Sequence, residues 1–322
     1  MSTVANQTLK TAHLDSAHLQ TGMSMHRRRV MWGWVFLSPW LIGFFIFTLM
    51  PLVASFIFTL TDFNLNRASD INFVGIDNYQ KLLKDPSVRI SLRVTLIYMA
   101  ISLPFSVIIP LSMAALLNAK RLWGKAVFRT LFYAPFVVPI VSAVGIWNGF
   151  LNPQSGWLNR IIETFGINGP DWLNSTMWIY PAMMFIGIWG SGNAMLIFLA
   201  GLQGVPTELY EAAKVDGAGP LTRVRMITLP MISPVIFYNL VLSMIGLFRY
   251  FDVPYMLKRG TGDPGNSTLF YNIHLYKTAF TFKDMGYGAT LAWFLFMIAI
   301  IFTAVLFWSA RYWVYYAAGD ER

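Results

Sequence analysis

The chain has no cysteine, and only 12% of its residues are charged, about half the share usual in soluble domains. The first absence excludes a disulfide framework, thiol chemistry and a thiolate metal site. The second excludes an ordinary soluble domain, and with 56% hydrophobic and 16% aromatic residues it indicates an integral membrane protein. Catalytic groupings are missing too. No Ser/His/Asp arrangement, carboxylate pair or metal-ligand cluster stands out, and His13, His18 and His26 are not at convergent spacing; beyond them there is only His274. No stretch has the Lys-Ser/Thr pair that closes a phosphate-binding loop: in the Gly-rich segment 260–268, Asn266-Ser267 stands in its place, and the segment reads as a turn. The chain is not expected to be catalytic alone, and no cofactor or metal is expected in it.

What the chain does have is six apolar runs, at about 31–60, 92–117, 130–151, 178–202, 231–247 and 287–314. Runs of this length suit a bilayer whose core takes about 20 helical residues, so the expected fold is all-α, with six transmembrane helices. The first run exceeds that length. It has to tilt, kink at Pro39 or Pro51, or extend beyond the lipid, and it is too long for the apolar core of a signal peptide.

Residues 1–30, which end in His26-Arg27-Arg28-Arg29, read as a mobile cytoplasmic tail. The loop 118–129 carries Lys120, Arg121, Lys125 and Arg129 without an acid. Placing it inside, with loop 203–230, both tails (1–30 and 315–322) and Arg311, puts 13 Lys/Arg and 6 Asp/Glu in the cytoplasm, against 11 and 9 outside. The inside cations cluster at span ends, where the positive-inside rule has its force. The net charge of +9 is then explained by topology, and nucleic acid is not an expected partner.

Within the fourth run, Gly187, Gly190, Gly192 and Gly201 allow close helix approach. Between the fourth and fifth runs lies a polar island, Glu208 to Pro230. Pro206 and Thr207 can open a short helix, Glu208–Asp216, that Gly217 closes, and Leu221–Leu229 can form a second before Pro230. Leu209, Ala212 and Ala213 share one face of the first helix, and Glu208, Glu211 and Lys214 the other.

The order Glu211-Ala212-Ala213, Asp216-Gly217-Ala218 and Ile227-Thr228-Leu229-Pro230 resembles the cytoplasmic signature loop of ABC-importer permeases of the maltose-type carbohydrate uptake family. Val74-Gly75-Ile76-Asp77-Asn78-Tyr79 resembles a feature of that family's first external loop. The family often has aromatics where this chain has Leu221 and Val224. The resemblance implies a type I importer permease fold in the bacterial inner membrane, multi-pass, with both termini cytoplasmic. It implies a second permease subunit in a heterodimer, two ATP-binding subunits that hold ATP and Mg, and an external solute-binding protein. Glu208, Glu211, Ala212, Ala213, Asp216 and Gly217 would couple to the ATPase. A sugar pathway also needs aromatic faces and hydrogen-bonding groups, for which Trp189, Asn193, Tyr238, Asn239, Arg249 and Tyr250 are the candidates. Arg249, Lys258 and Arg259 keep acidic oligosaccharides and phosphorylated polyols open beside neutral sugars. The alternative is an ion-coupled transporter or channel acting without an ATPase. The absence of Asp, Glu, Lys and Arg from the span cores weighs against it.

Overall fold

The computed structural model describes residues 24–67 and 69–316. Most of the expected N-terminal tail and all but the first two residues of the C-terminal tail lie outside the described residues. Among the described residues the structure is helical, with no strand and two isolated bridges, Thr61–Phe73 and Asn64–Asp284. Contacts divide the chain into one unit ending at Ile57 and another beginning at Phe58.

The first unit is helical from Met25. Helix α1 (Met25–Phe44) passes through a π turn, Phe45–Leu49, into α2 (Met50–Phe58). Ser24 caps the start by accepting from the Arg27 N–H, so the helix takes in the arginines expected to end the tail. Its 34 residues span about 51 Å at about 1.5 Å each, against about 30 Å of hydrocarbon. The helix continues through Pro39. The irregularity falls just before Pro51, where Met50 N–H bonds to Phe45 O. A proline ring clashes with the carbonyl four residues back, and the wider turn relieves that clash.

The second unit continues with α3 (Asp77–Lys84), α4 (Pro86–Asn118), α5 (Lys125–Val137), α6 (Ile140–Phe150), α7 (Trp157–Glu163), α8 (Ile179–Trp189) and α9 (Gly192–Gln203). After these come α10 (Thr207–Val215), α11 (Pro220–Arg223), α12 (Leu229–Phe248), α13 (Asp252–Lys258), α14 (Tyr271–Tyr276) and α15 (Met285–Ala310). Among the described residues, four helical stretches are long and apolar enough to cross a membrane. The pairs α5/α6, bent by 103°, and α8/α9, bent by 57°, bring the crossings to six if each counts as one. The α5/α6 break falls at Val138-Pro139, in extended backbone, where a residue before proline is held out of the helical region.

The island beyond α10 differs from expectation. Instead of a separate helix Leu221–Leu229, α11 runs through a second π turn, Val224–Thr228, directly into α12. Pro220 opens this helix at its first turn, where its missing N–H costs nothing. Pro230 is accommodated as Pro51 is, with Leu229 N–H bonded to Val224 O, so it does not stop the helix.

Helix α4 runs through all three apolar clusters of the second unit. Val94 and Tyr98 pack with Ile179, Trp172 and Phe270. Val88 and Met99 pack with Phe248, Tyr271 and Leu291. Val107, Ala114 and Leu117 pack with Met195, Phe198 and Ile232. The segments between spans are part of this packing, since Trp172, Leu173, Phe270 and Tyr271 are buried. The Val74–Tyr79 stretch is anchored by Asn78, whose Nδ2 donates to Thr59 O and Thr61 O. Segment 260–268 is a turn: Gly260, Gly262, Gly265 and Asn266 take positive φ, and Thr268 bonds back to Gly262 and Asp263.

The expected close approach of the fourth run is made by two of its glycines. A Cβ on Gly192 would stand 2.6 Å from Phe132 O and 2.8 Å from Tyr133 Cα, and one on Gly201 would stand 2.9 Å from Val235 Cγ2. Gly187 is open on that side. Because backbone blocks the space at Gly192, Gly192→Val is expected to destabilise the fold by about 1–3 kcal/mol. Fluorescence-detected gel filtration after heating would show a lower midpoint. An unchanged midpoint would contradict the packing.

Candidate functional site

Helix α10 is built as its sequence demands. Pro206 stands at its N-cap, and Gly217 at φ +76° closes it. Gly217 N–H bonds to Lys214 O at 3.0 Å and Ala218 N–H to Ala213 O at 2.8 Å, the paired bonds of a glycine C-cap. Tyr210 and Ala213 turn inward, while Leu209, Ala212 and Val215 are exposed with Glu208, Glu211 and Asp216. Of the expected apolar face, Leu209 and Ala212 therefore lie on the open surface. The inward anchor is Tyr210, whose hydroxyl lies 2.8 Å from Thr228 Oγ1. Three residues, 204–206, join α10 to α9, and Gly204 N–H is still bonded to Ala200 O. α10 is thus tied to α9 through the chain and to the base of α12 through a hydrogen bond.

Farther along the same helices a cavity of about 300 Å³ opens at the α8/α9 break. Its walls are Tyr98, Ser102, Phe105 and Ser106 of α4, Phe136 of α5, Gly187, Ile188, Gly190, Ser191, Asn193 and Ala194 around the break, and Ser243, Leu247 and Tyr250 from the α12 side. The Tyr98 and Tyr250 rings stack at 4.9 Å with their hydroxyls 3.3 Å apart, and Phe270 sets its edge against both. Ser102 is 7% exposed, and the hydroxyls of Ser102 and Ser191 are buried without a partner. Serines in apolar helices usually bond a carbonyl one turn back, as Ser106 does to Leu103 O at 2.8 Å. An unpaired buried hydroxyl costs about 1–3 kcal/mol, which a bound hydroxylated solute or water removes. Among the described residues, no Asp, Glu, Lys, Arg or His lines the cavity. It can hold a small uncharged solute by hydroxyl hydrogen bonds and ring contacts.

Two of the six expected pathway residues, Asn193 and Tyr250, line this cavity. Trp189 packs edge to face on Trp147 at 6.0 Å. Tyr238 is half-exposed, and Asn239 is buried with its Nδ2 donating to Val235 O. Arg249 lines a separate space of about 350 Å³ between α12 and α15, and Lys258 donates to Asn174 Oδ1 at 2.7 Å. The structure adds Tyr98, Ser102, Ser191 and Ser243, none of which the sequence singles out. The signal that was available is a hydroxyl on α4 and another beside Gly190 and Gly192, in runs otherwise apolar.

Comparison with known proteins agrees with this architecture. Residues 94–315 match the family described as "binding-protein-dependent transport system inner membrane component". The probable ABC transporter permease protein YesP of Bacillus subtilis is 35% identical over 292 residues, 90% of this chain and 93% of that protein. The lactose transport system permease protein LacF of Rhizobium radiobacter is 30% identical over 283 residues, 87% and 94% respectively. The fold is shared with a bacterial alginate ABC transporter, solved in complex with an alginate pentasaccharide-bound periplasmic protein. The TM-score is 0.75 at 22% identity, covering 88% of this chain and 95% of that one. With a family match over residues 94–315 and relatives aligned along most of its length, this chain is a multi-pass membrane protein of the binding-protein-dependent transport system inner membrane component family, an ABC transporter permease.

Proposed function

We propose that this chain passes a saccharide across the bacterial inner membrane as one permease subunit of an ATP-driven importer. A second permease, two ATP-binding subunits holding ATP and Mg, and an external binding protein complete the complex. Both termini and α10 lie in the cytoplasm, in line with the cation clusters of 118–129 and 27–29. The observation that carries the reading is the double attachment of α10: to α9, which bears Asn193 at the cavity, and through Tyr210–Thr228 to α12, which bears Ser243. A displacement of α10 by the ATPase therefore moves two cavity walls together, which is what alternation between inward- and outward-facing states requires. Glu208, Glu211, Ala212, Ala213 and Asp216 form or flank the surface that meets the ATPase.

A saccharide suits the uncharged, hydroxyl- and ring-lined cavity, and the LacF relative is named for lactose. The cations near the external segments do not line that cavity, so a neutral sugar fits it better than an acidic one. An ion-coupled carrier needs ionisable groups along its pathway, and the cavity has none outside its two tyrosines. Affinity-purified complex is expected to contain an ATPase, and proteoliposomes to accumulate labelled disaccharide only with ATP inside. Uptake that persists without the ATPase, or that follows membrane potential in its absence, would favour the ion-coupled reading. A reporter fused after Lys214 should report the cytoplasm, and a periplasmic signal would overturn the topology.

A further inference from the structure

A larger cavity, about 550 Å³, lies where the C-terminal ends of α4 and α9 meet α10 and α11. Lys120, Lys214 and Arg223 line it, with Glu211 as the single carboxylate. Arg223 is part-buried, and its Nε is buried without a hydrogen-bond partner. Among the described residues the recorded ion pairs are Lys81–Asp284 and Asp85–His274, neither of them here. A guanidinium N–H buried without an acceptor is costly, and such groups are normally paired.

The charges can be added up. Three cations stand against Glu211 and two helix C-terminal ends, each equivalent to roughly half a negative charge, which leaves the cavity about one charge positive. Its size narrows the anion. At about 550 Å³ it is roomier than a chloride or one inserted carboxylate needs. Ala115, Leu202 and Val205 make part of the wall apolar, so the occupant has carbon next to its charge. A planar guanidinium fork flanked by lysines matches the oxygens of a phosphate.

We propose that this cavity binds a phosphate ester, from the headgroup of an anionic lipid or from a free phosphorylated metabolite. The bound phosphate bridges the end of α4 through Lys120, α10 through Lys214 and α11 through Arg223, and so braces α10 against the bundle. The inference does not depend on which solute the chain transports.

The test uses the full-length chain in nonionic detergent. Thermal unfolding and native mass spectrometry are followed with phosphatidylglycerol, with a diacylglycerol of the same chains, and with inorganic phosphate or glycerol 3-phosphate. Phosphate-bearing probes are expected to raise the melting temperature and diacylglycerol to leave it unchanged. Arg223→Gln should weaken binding at least fivefold, with Arg223→Lys retaining part of it. The pair Lys120→Gln/Lys214→Gln, whose side chains are exposed, should weaken it several-fold. A response to phosphatidylglycerol alone identifies the lipid as the source, and a response to inorganic phosphate or glycerol 3-phosphate identifies the free ester. The proposal fails if no phosphate-bearing probe raises the melting temperature, or if the response is unchanged in these variants. It also fails if Arg223 instead cross-links to an acidic residue of a bound ATP-binding subunit.

Discussion

Gly217→Val is expected to reduce ATP-driven uptake at least tenfold while leaving the chain inserted in the membrane. No atom lies within 4 Å of a Cβ built on Gly217, so the effect is one of backbone and not of crowding. At φ +76° a non-glycine residue costs roughly 1–2 kcal/mol, and a β-branched one more. Valine escapes that cost by giving up the bonds from Gly217 N–H to Lys214 O and from Ala218 N–H to Ala213 O. The end of α10 then frays, and the exposed strip of Leu209, Ala212 and Val215 no longer sits at a fixed angle to α11. Asparagine tolerates the left-handed region, so Gly217→Asn should keep most of the uptake. Glu211→Lys, which reverses an exposed charge beside that strip, is expected to weaken ATPase pull-down without this change of backbone. The measurement is uptake in proteoliposomes together with pull-down of the ATPase. Full uptake by the valine variant would refute a coupling role for α10.

The sequence makes α10 legible because a proline start, a glycine stop and a polar composition are local signals. Tyr210 is not legible, because its partner Thr228 lies 18 residues on and beyond a turn whose geometry no local pattern fixes. Six apolar runs announce six crossings, yet prolines do not say what they do. Pro139 turns the chain through a 103° bend, while Pro51 and Pro230 leave helices continuous by widening one turn each. The cavity is the least legible part. Ser102 and Ser106 stand four residues apart on one helix and read alike, and only the packed structure shows that Ser106 bonds its own backbone while Ser102 turns beside Tyr98 into the cavity wall. Asn193 stands out as an amide in an apolar run. Asn239 stands out equally, and is satisfied by Val235 O one turn back.

Asp85→Ala is expected to cost about 2–4 kcal/mol, because one carboxylate serves three elements. It caps α4 through the Ser87 N–H at 2.8 Å, accepts from the Tyr287 hydroxyl at 2.8 Å, and lies 3.2 Å from His274 Nε2. The cap is worth about 1 kcal/mol, and a tyrosine hydroxyl left unpaired about 1–3. The neighbouring Lys81–Asp284 bridge, at 2.8 Å but with the lysine half-exposed, adds no more than about 1 kcal/mol. Burial works against the charge on Asp85, but the bonds from Tyr287 and Ser87 and the nearby His274 outweigh it and hold the carboxyl below its usual range. Burial pushes the His274 imidazole down despite the carboxylate, so at neutral pH the clasp works through hydrogen bonds to a carboxylate more than through an ion pair. A depressed folded pKa gives stability that is fully present above the unfolded value near 3.9 and is lost as pH falls through the folded one. Asp85→Asn keeps a cap and an acceptor but no charge, so it should melt somewhat below the wild type at pH 7, and by a wider margin once falling pH protonates His274, which pairs with the carboxylate but not with the amide. That margin should close below about pH 4 as the wild-type carboxyl protonates. A margin that does not change with pH, or an alanine variant that melts with the wild type, would show that α4, α14 and α15 are held together at this end by apolar packing alone.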